Sequence, residues 1–441
     1  MRFWKKKETL KEWLGRHLLP GKIEEMSVTE REFPRRVRAD VQRGFAELMK
    51  EMGGALYGVQ AAFGHGVTLA ELAGENRMQA SLGAPVFEEV DVGEEKPVKC
   101  LKGGLWLGAQ GEVKYLVLMM VSDERFGSSV VTVQVGAIGE EGSRVSERIF
   151  GALEEAVRRS PSYRGKVLSL EEGRRYSGEG QGMRVHKLRG VQREEVILPA
   201  ATLELLERNV MGFVARREKI GGAGQSRKKG LLFYGAPGTG KTHTIHYLAR
   251  ALAGHTTLII TAGQVALLRE YMTLARLLQP SMVVIEDADL IGRERTRMES
   301  ACEEALLNQL LNEMDGLQED ADVIFVLTTN RPEALEAALT SRPGRVDQAI
   351  EFPLPDEAGR EKLVRLYAGK AELTDAAVKE TVKRTEGVSA AFIKELMRRA
   401  VQFHLEREDA ARIEMQDVRE AIEEMVVRGG ELNRRLLGGR E

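Results

Sequence analysis

The chain has 441 residues, 43% apolar and 30% charged, a length that accommodates about three domains of ~150 residues. Lys and Arg number 65 against 67 Asp and Glu, so no global charge favours nucleic acid or an anionic membrane surface. Two cysteines, Cys100 and Cys302, form neither a disulfide framework nor a metal spacing and fit a reducing cytoplasm, and the longest apolar run, Tyr115–Val121, is far short of the ~18–20 residues a membrane helix needs.

The first stretch, MRFWKKKETLKEW, is basic but lacks the apolar centre of a secretory signal. Residues 1–85 read as a helical region. Trp4, Trp13, Leu14, Leu18 and Leu19 beside Lys5–Lys7 could line a membrane-surface helix, or a helix packed on its own domain or a partner. The Gly- and Ala-rich stretch 53–74 gives no sharp signal. Residues 86–190 change character. LKGGLWLGA, VKYLVLMMV and SSVVTVQVGAI are strand-like segments broken by turns, and Val131, Val133 and Val135 define one apolar face. Val145, Ile149, Ala152, Leu153 and Ala156 then fall on one helical stripe that ends before Ser160-Pro161, because a residue preceding proline is disfavoured in helix. With KVLSLEE (166–172) as a further strand, this is a small α/β domain without a catalytic constellation, suited to recognising a partner. A polar linker (171–181) follows.

VILPAATLELLERNVMGFVARRE (196–218) predicts one helix from Leu203, Leu206, Val210 and Phe213. Gly230–Tyr234 reads as a short buried strand. Gly235, Ala236, Pro237, Gly238, Thr239, Gly240, Lys241 and Thr242 then satisfy G-x-x-x-x-G-K-[ST] in full, with a helical pattern after them. Three glycines let backbone N–H groups turn inward around a phosphate chain, and the helix aims its positive end at the same place. Lys241 supplies a charge for the β and γ phosphates, and Thr242 a hydroxyl for Mg²⁺. This stretch predicts a nucleoside triphosphate site.

MVVIEDAD (282–289) reads as a buried parallel strand ending in acids. Chemistry in open α/β sheets sits at the carboxyl ends of strands, which puts Glu286 and Asp287 beside the phosphate loop. One carboxylate would serve the Mg²⁺ shell, and the other would polarise the attacking water. VIFVLTTN (323–330) ends a third strand in Asn330, which reads either as a sensor of the γ-phosphate and attacking water or as an Asx-turn before Arg331-Pro332. His243 and His246 share a helix face without a third ligand, and no H-E-x-x-H occurs in the sequence, so neither a metal centre nor a zinc protease is indicated. Arg293, Arg295 and Arg297 read as an exposed loop, with a contact to a subunit or to nucleic acid as the other reading.

GAPGTGKT, VVIEDAD, ALLNQLLNEMDGL (305–317), TTNRPEAL (328–335) and SRPGRVDQAI (341–350) occur in the order seen in the AAA family of ring ATPases, which this chain resembles over roughly 191–428. The resemblance implies an α/β fold: a P-loop parallel-sheet ATPase domain (191–353) with a small all-α lid (354–430) and a short tail (431–441). It implies ATP with Mg²⁺, held through Thr242 and, through water, Glu286. It implies Asp287 as the base and Asn330 as the sensor, and a hexameric ring in which Arg342 and Arg345 reach a neighbour's nucleotide. An inserted guanidinium is worth about 10³–10⁵ in rate in related NTPases. GVSAAFIKELMRRAV (387–401) resembles the lid helix, with Ala390 where the family has glycine. Two departures stand out. The acidic strand ends Glu286-Asp287 where the family has Asp-Glu, an order that family members moving folded proteins also carry. The segment 261–280 is short and lacks the aromatic–apolar–glycine loop of protein-threading members, so only Leu267, Leu268, Tyr271 and Met272 could face a pore, where their spacing also suits core packing.

The expected function is therefore ATP hydrolysis coupled to remodelling of a protein client bound by residues 1–190. The other reading is a slow nucleotide-dependent switch or scaffold that does not thread polypeptide. Balanced charge and the absence of a basic–aromatic stripe argue against a nucleic-acid motor.

Overall fold

The computed structural model describes residues 10–61, 67–74, 80–121, 130–170, 182–290, 312–313, 316, 321–335, 344–407 and 412–428. Trp4, Lys5–Lys7, the linker 171–181, the three arginines at 293–297, Cys302, Arg342, most of 305–317 and the tail lie outside them. The chain divides into two compact units, Met1–Lys187 and Leu188–Glu441.

The first unit is built on an antiparallel sheet of seven strands: β1 (Met26–Pro34), β2 (Ala55–Ala61), β3 (Ala80–Gly83), β4 (Val86–Val90), β5 (Val98–Gln110), β6 (Val113–Val121) and β7 (Val130–Ile138). Their order is β1-β7-β6-β5-β2-β3, with β4 also on β5. Helices α1 (Leu10–Leu18), α2 (Arg38–Met52), α3 (Leu69–Ala73) and α4 (Gly139–Arg159) and a hairpin of β8 (Val167–Leu170) with β9 (Met183–His186) complete the unit. Val131, Val133 and Val135 are all fully buried, as their alternation requires.

This architecture corrects the expected boundary at residue 85. Met26–Pro34 pairs along its whole length with Val130–Ile138, and Ala55–Gly58 pairs with Gly104–Leu107, so residues 1–85 supply three strands to the same sheet as 86–138. The sequence hides β1 because it is an edge strand: all but Met26 and Phe33 of its nine residues are exposed, and no apolar alternation is left to read. Strand β2 is masked by Gly and Ala composition. Leu14 and Leu18 of α1 are buried in a cluster with Leu69, Leu105 and Leu116, and Trp13 meets Tyr57 edge-on at 5.1 Å. Helix α1 thus packs on its own domain.

In the second unit β10 (Lys229–Tyr234), β11 (Thr256–Ile260), β12 (Ser281–Ile285), β13 (Val323–Thr329) and β14 (Gln348–Glu351) form a parallel sheet ordered β14-β10-β13-β12-β11. Every residue of β12 and β13 is buried, the continuous apolar signature of a sheet covered on both faces. The single helix predicted from Val196 is instead an extended lead-in, then α5 (Ala200–Asn209) and α6 (Met211–Gly222), broken at Val210 with φ −109° and ψ −72°. The phosphate-loop helix is α7 (Lys241–Ala251), and α8 (Leu268–Leu277) follows β11. Leu267, Leu268, Tyr271 and Met272 are all buried, so these four side chains are core.

Among the described residues the C-terminal part has the α-helices α9 (Glu357–Ala368), α10 (Asp375–Arg384), α11 (Ala390–Glu406) and α12 (Met415–Ile422). Asp356, Thr374 and Ser389 cap the first three, each accepting a backbone N–H from three residues on. Their apolar faces meet around Phe392, Leu396, Met397 and Val418. No described helix is long and apolar enough to cross a membrane.

His255, at the foot of β11, is 4% exposed, and its Nε2 lies 2.9 Å from Arg217 Nη1, which casts Nε2 as the acceptor of a neutral ring. Arg217 also pairs with Asp322 at 3.1 Å, joining α6 to the foot of β13. Burial, reinforced by the Arg217 guanidinium, pushes the imidazole down to about 4. The folded-state value lies below the unfolded one, about 6.5, so this group's stability is complete above pH 6.5 and is lost as pH falls toward 4, at no more than about 1.4 kcal/mol per pH unit. Thermal melts between pH 7.5 and 4.5 should show a shallower acid-side decline for His255→Gln than for the wild type; parallel curves would exclude the assignment.

Candidate nucleotide site

The site grows from the carboxyl end of β10. Tyr234 closes the strand, and Gly235, Gly238 and Gly240 take φ values of 147°, 76° and 103°, a region open to glycine and strained for other residues. Gly235 has a second constraint: a Cβ there would stand 2.3 Å from the carbonyl oxygen of Phe352. Thr239 ties the loop by donating its hydroxyl to Ala236 O at 2.8 Å. Lys241 opens α7 and folds back, its Nζ donating to Gly235 O at 2.7 Å and Ala236 O at 3.0 Å. Lys241 is 7% exposed. Burial lowers its pKa, against the opposing pull of the Asp287 and Asp289 carboxylates. A desolvated cation beside a glycine loop at a helix N-terminus is a site for a polyanion.

Opposite the loop stand the ends of β12 and β13. Asp287 sits in the left-handed region at φ 48°, uncommon for a residue with a side chain and typically costing about 1 kcal/mol or more. Two contacts hold it there. Its N–H donates to Thr328 Oγ1 at 3.0 Å, and Asn330 Nδ2 donates to its Oδ1 at 3.2 Å. Asp289 forms an outer layer, its Oδ1 accepting the Thr329 hydroxyl at 2.7 Å and the Asn330 N–H at 3.3 Å. Asn330 therefore bridges the two strands and is more than an Asx-turn residue.

The structure brings most of the predicted residues together. A cavity of about 340 Å³ is lined by Pro237 through Thr242, Asp287 and Asn330. Glu286 does not line it; its N–H donates to Ile260 O at 2.9 Å, at the adjoining strand end. Arg345 is elsewhere, beside Gly230 at the opposite end of β10 and roughly 15–20 Å along the strand from the phosphate loop. Arg342 lies outside the described residues. A threonine hydroxyl (Thr242) and a carboxylate (Asp287) facing one cavity are the hard oxygen donors that suit Mg²⁺, so the residues present fit the ion.

Three parts of the site escape the sequence reading. Val196–Leu198 line the cavity in extended form, and the restriction imposed by Pro199 on the residue before it was the available signal. Thr328 lay inside a strand. Leu363 and Tyr367 of α9 with Ala390, Ala391 and Lys394 of α11 close the far wall. The lid touches the loop itself: Ala391 N–H donates to Gly238 O at 3.1 Å, and a Cβ on Gly238 would meet the Ala391 methyl at 2.8 Å. Burial raises the Tyr367 phenol, aided by Glu195, and lowers His243, whose Nε2 is 3.1 Å from Glu195 O.

A P-loop sheet with a helical cover and one acidic strand end, at Glu286-Asp287, beside the loop is the arrangement of a nucleoside-triphosphatase domain. Residues 231–354 match the model of the ATPase family associated with various cellular activities (AAA). The chain is similar to the proteasome-activating nucleotidase of Methanococcus maripaludis, 32% identical over 62% of this chain and 65% of that protein. It is also similar to the ATP-dependent zinc metalloprotease FtsH 1 of Methylacidiphilum infernorum, 35% identical over 55% and 39%, and to the proteasome-activating nucleotidase of Archaeoglobus fulgidus, 36% identical over 45% and 52%. The chain thus carries an AAA family ATPase domain, and it spans less than two thirds of the length of these relatives.

Thr328→Val removes the acceptor that holds Asp287 N–H at nearly constant volume. It should slow phosphate release about tenfold, the equivalent of one lost hydrogen bond of ~1–1.5 kcal/mol, while nucleotide affinity stays within about twofold. Thr328→Ser should restore the rate; an unchanged rate in the valine variant would refute the role.

Proposed function

We propose that the protein hydrolyses ATP, with Mg²⁺, in a ring of identical subunits, and that the resulting motion acts on a protein partner held by residues 1–190. The observation that carries the hydrolysis reading is the convergence of Lys241, Thr242, Asp287 and Asn330 on one cavity. The AAA relatives include nucleotidases named for activating proteasomes, which supports a protein as the object of the work.

Within one subunit, the loop N–H groups and Lys241 bind and orient the phosphates of the substrate. Thr242 and, through water, Glu286 would hold Mg²⁺, which would supply neutralisation of the substrate's phosphate charge. Among the described residues that line the cavity, Asp287 and Glu195 are the acidic ones, and Asp287 takes the role of accepting a proton from the attacking water. Asn330, tied to Asp287 Oδ1, orients that carboxylate and offers its amide to the γ-phosphate. Arg345 is supplied to a neighbour's site, which makes each complete site the property of two subunits.

A second reading, a slow switch or scaffold that does not thread polypeptide, draws on the burial of Leu267, Leu268, Tyr271 and Met272. The two readings share the chemistry and differ in the output. In the first, the purified chain releases phosphate from ATP and Mg²⁺, Lys241→Ala abolishes nucleotide binding, and Asp287→Asn binds ATP but loses at least about 10²-fold in hydrolysis, the scale of removing one general base. Phosphate release that survives both substitutions would sink the proposal. Stimulation of hydrolysis by an unfolded chain would exclude the switch reading, whereas a nucleotide-driven change in oligomer size without stimulation would favour it.

A further inference from the structure

The foot of β10, opposite the phosphate loop, is built around a glycine whose backbone does not need one. Gly230 has no left-handed φ, so any residue could adopt its conformation. Space is the constraint: a Cβ on Gly230 would lie 1.9 Å from Arg345 O, 2.9 Å from Arg345 C and 3.2 Å from Val346 Cα. All three are backbone atoms, which cannot swing aside as a side chain does. The same two segments are clamped through Asp347. Its N–H donates to Gly230 O at 2.8 Å, and its Oδ2 accepts the Gly230 N–H at 2.7 Å. Lys229 Nζ stands 4.0 Å from the same Oδ2. On the other side of Arg345, Gly344 turns the chain at φ 90°.

We propose that Gly230 and Asp347 are positioning residues for Arg345, fixing the backbone from which its guanidinium would reach a neighbouring subunit. The inference rests on the reading of Arg345 as a group supplied in trans. A methyl on Gly230 must push the Arg345 backbone by about 1 Å to reach even a 3.0 Å contact. Catalytic groups need placement within about 0.5 Å, and a displacement of ~1 Å costs about 10²-fold in rate. The phosphate loop leaves the opposite end of the same strand, so nucleotide binding in the altered subunit should persist. Asp347→Ala removes one of the two bonds to Gly230 without adding bulk, so a smaller loss, about tenfold, is expected.

The test uses the full chain and mixed rings. Gly230→Ala alone should lose about 10²-fold in ATP hydrolysis and bind nucleotide within about twofold of wild type. Mixed with Asp287→Asn subunits, whose own sites are disabled but whose Arg345 is intact, it should recover hydrolysis well above the sum of the two. Mixed with Arg345→Ala subunits it should not. The same pattern is expected for Asp347→Ala, which decides the matter if Gly230→Ala does not fold. Full activity of Gly230→Ala and Asp347→Ala would overturn the proposal. So would failure of both to recover with Asp287→Asn while Arg345→Ala does recover, because the defect would then lie in their own sites. If Arg345→Ala itself is fully active, or fails to recover with Asp287→Asn, the reading of Arg345 fails and the positioning role falls with it.

Discussion

The nucleotide unit depends on how closely β14 and its flanking residues press on β10. A buried parallel strand has its hydrogen bonds committed along its length and can offer polar chemistry only at its ends. At both ends of β10 the neighbouring chain crosses so tightly that only glycine fits: Phe352 O lies 2.3 Å from the Cβ position of Gly235, and Arg345 O lies 1.9 Å from that of Gly230. Tyr234 O accepts the Phe352 N–H at 2.7 Å, and Gly230 O accepts the Asp347 N–H at 2.8 Å, so the two crossings bracket the strand from Gly230 to Tyr234. One bracket begins the phosphate loop, and the other carries the arginine segment. A single rigid strand therefore fixes the separation between the part of the site that a subunit keeps and the part we assign to its neighbour.

The opposite wall follows a different rule. Asp287 is held in a strained left-handed conformation, and the strain is offset by Thr328 and Asn330 on the next strand. The Glu-Asp order gains a structural context here. The acid that lines the cavity is the shorter one, and its backbone turn and its bond to Asn330 set its reach as much as side-chain length does. Glu286, one residue earlier, has its N–H committed to Ile260 O at the edge of β11.

Legibility in the sequence followed burial. Strands β10, β12 and β13 were readable because continuous apolar runs leave no other interpretation, and the phosphate loop because its glycines are demanded by backbone geometry. The C-terminal helices were readable from their amphipathic patterns, bounded by Gly, Ser or Asp. Strand β1 was not, because an edge strand keeps polar residues on both faces, and β2 was not, because glycine and alanine carry little pattern. Leu267, Leu268, Tyr271 and Met272 had the right spacing for either a pore or a core, and only tertiary contact could decide for the core. Val196–Leu198, Tyr367 and Lys394 join the site from segments far away in sequence, and no local motif announces such a convergence. The resemblance singles out Arg345, but the crowding of its backbone against Gly230 shows only in three dimensions.

The contact between Gly238 and the first turn of α11 has a thermodynamic corollary. The loop that would cradle phosphates is also the seat of the helical lid, through Ala391 N–H on Gly238 O and a methyl within van der Waals reach. Any ligand whose affinity depends on the lid's position must, by reciprocity, bias that position by the same free energy. A mechanical load on the lid would then register as a change in nucleotide affinity with no signal passing through the sheet.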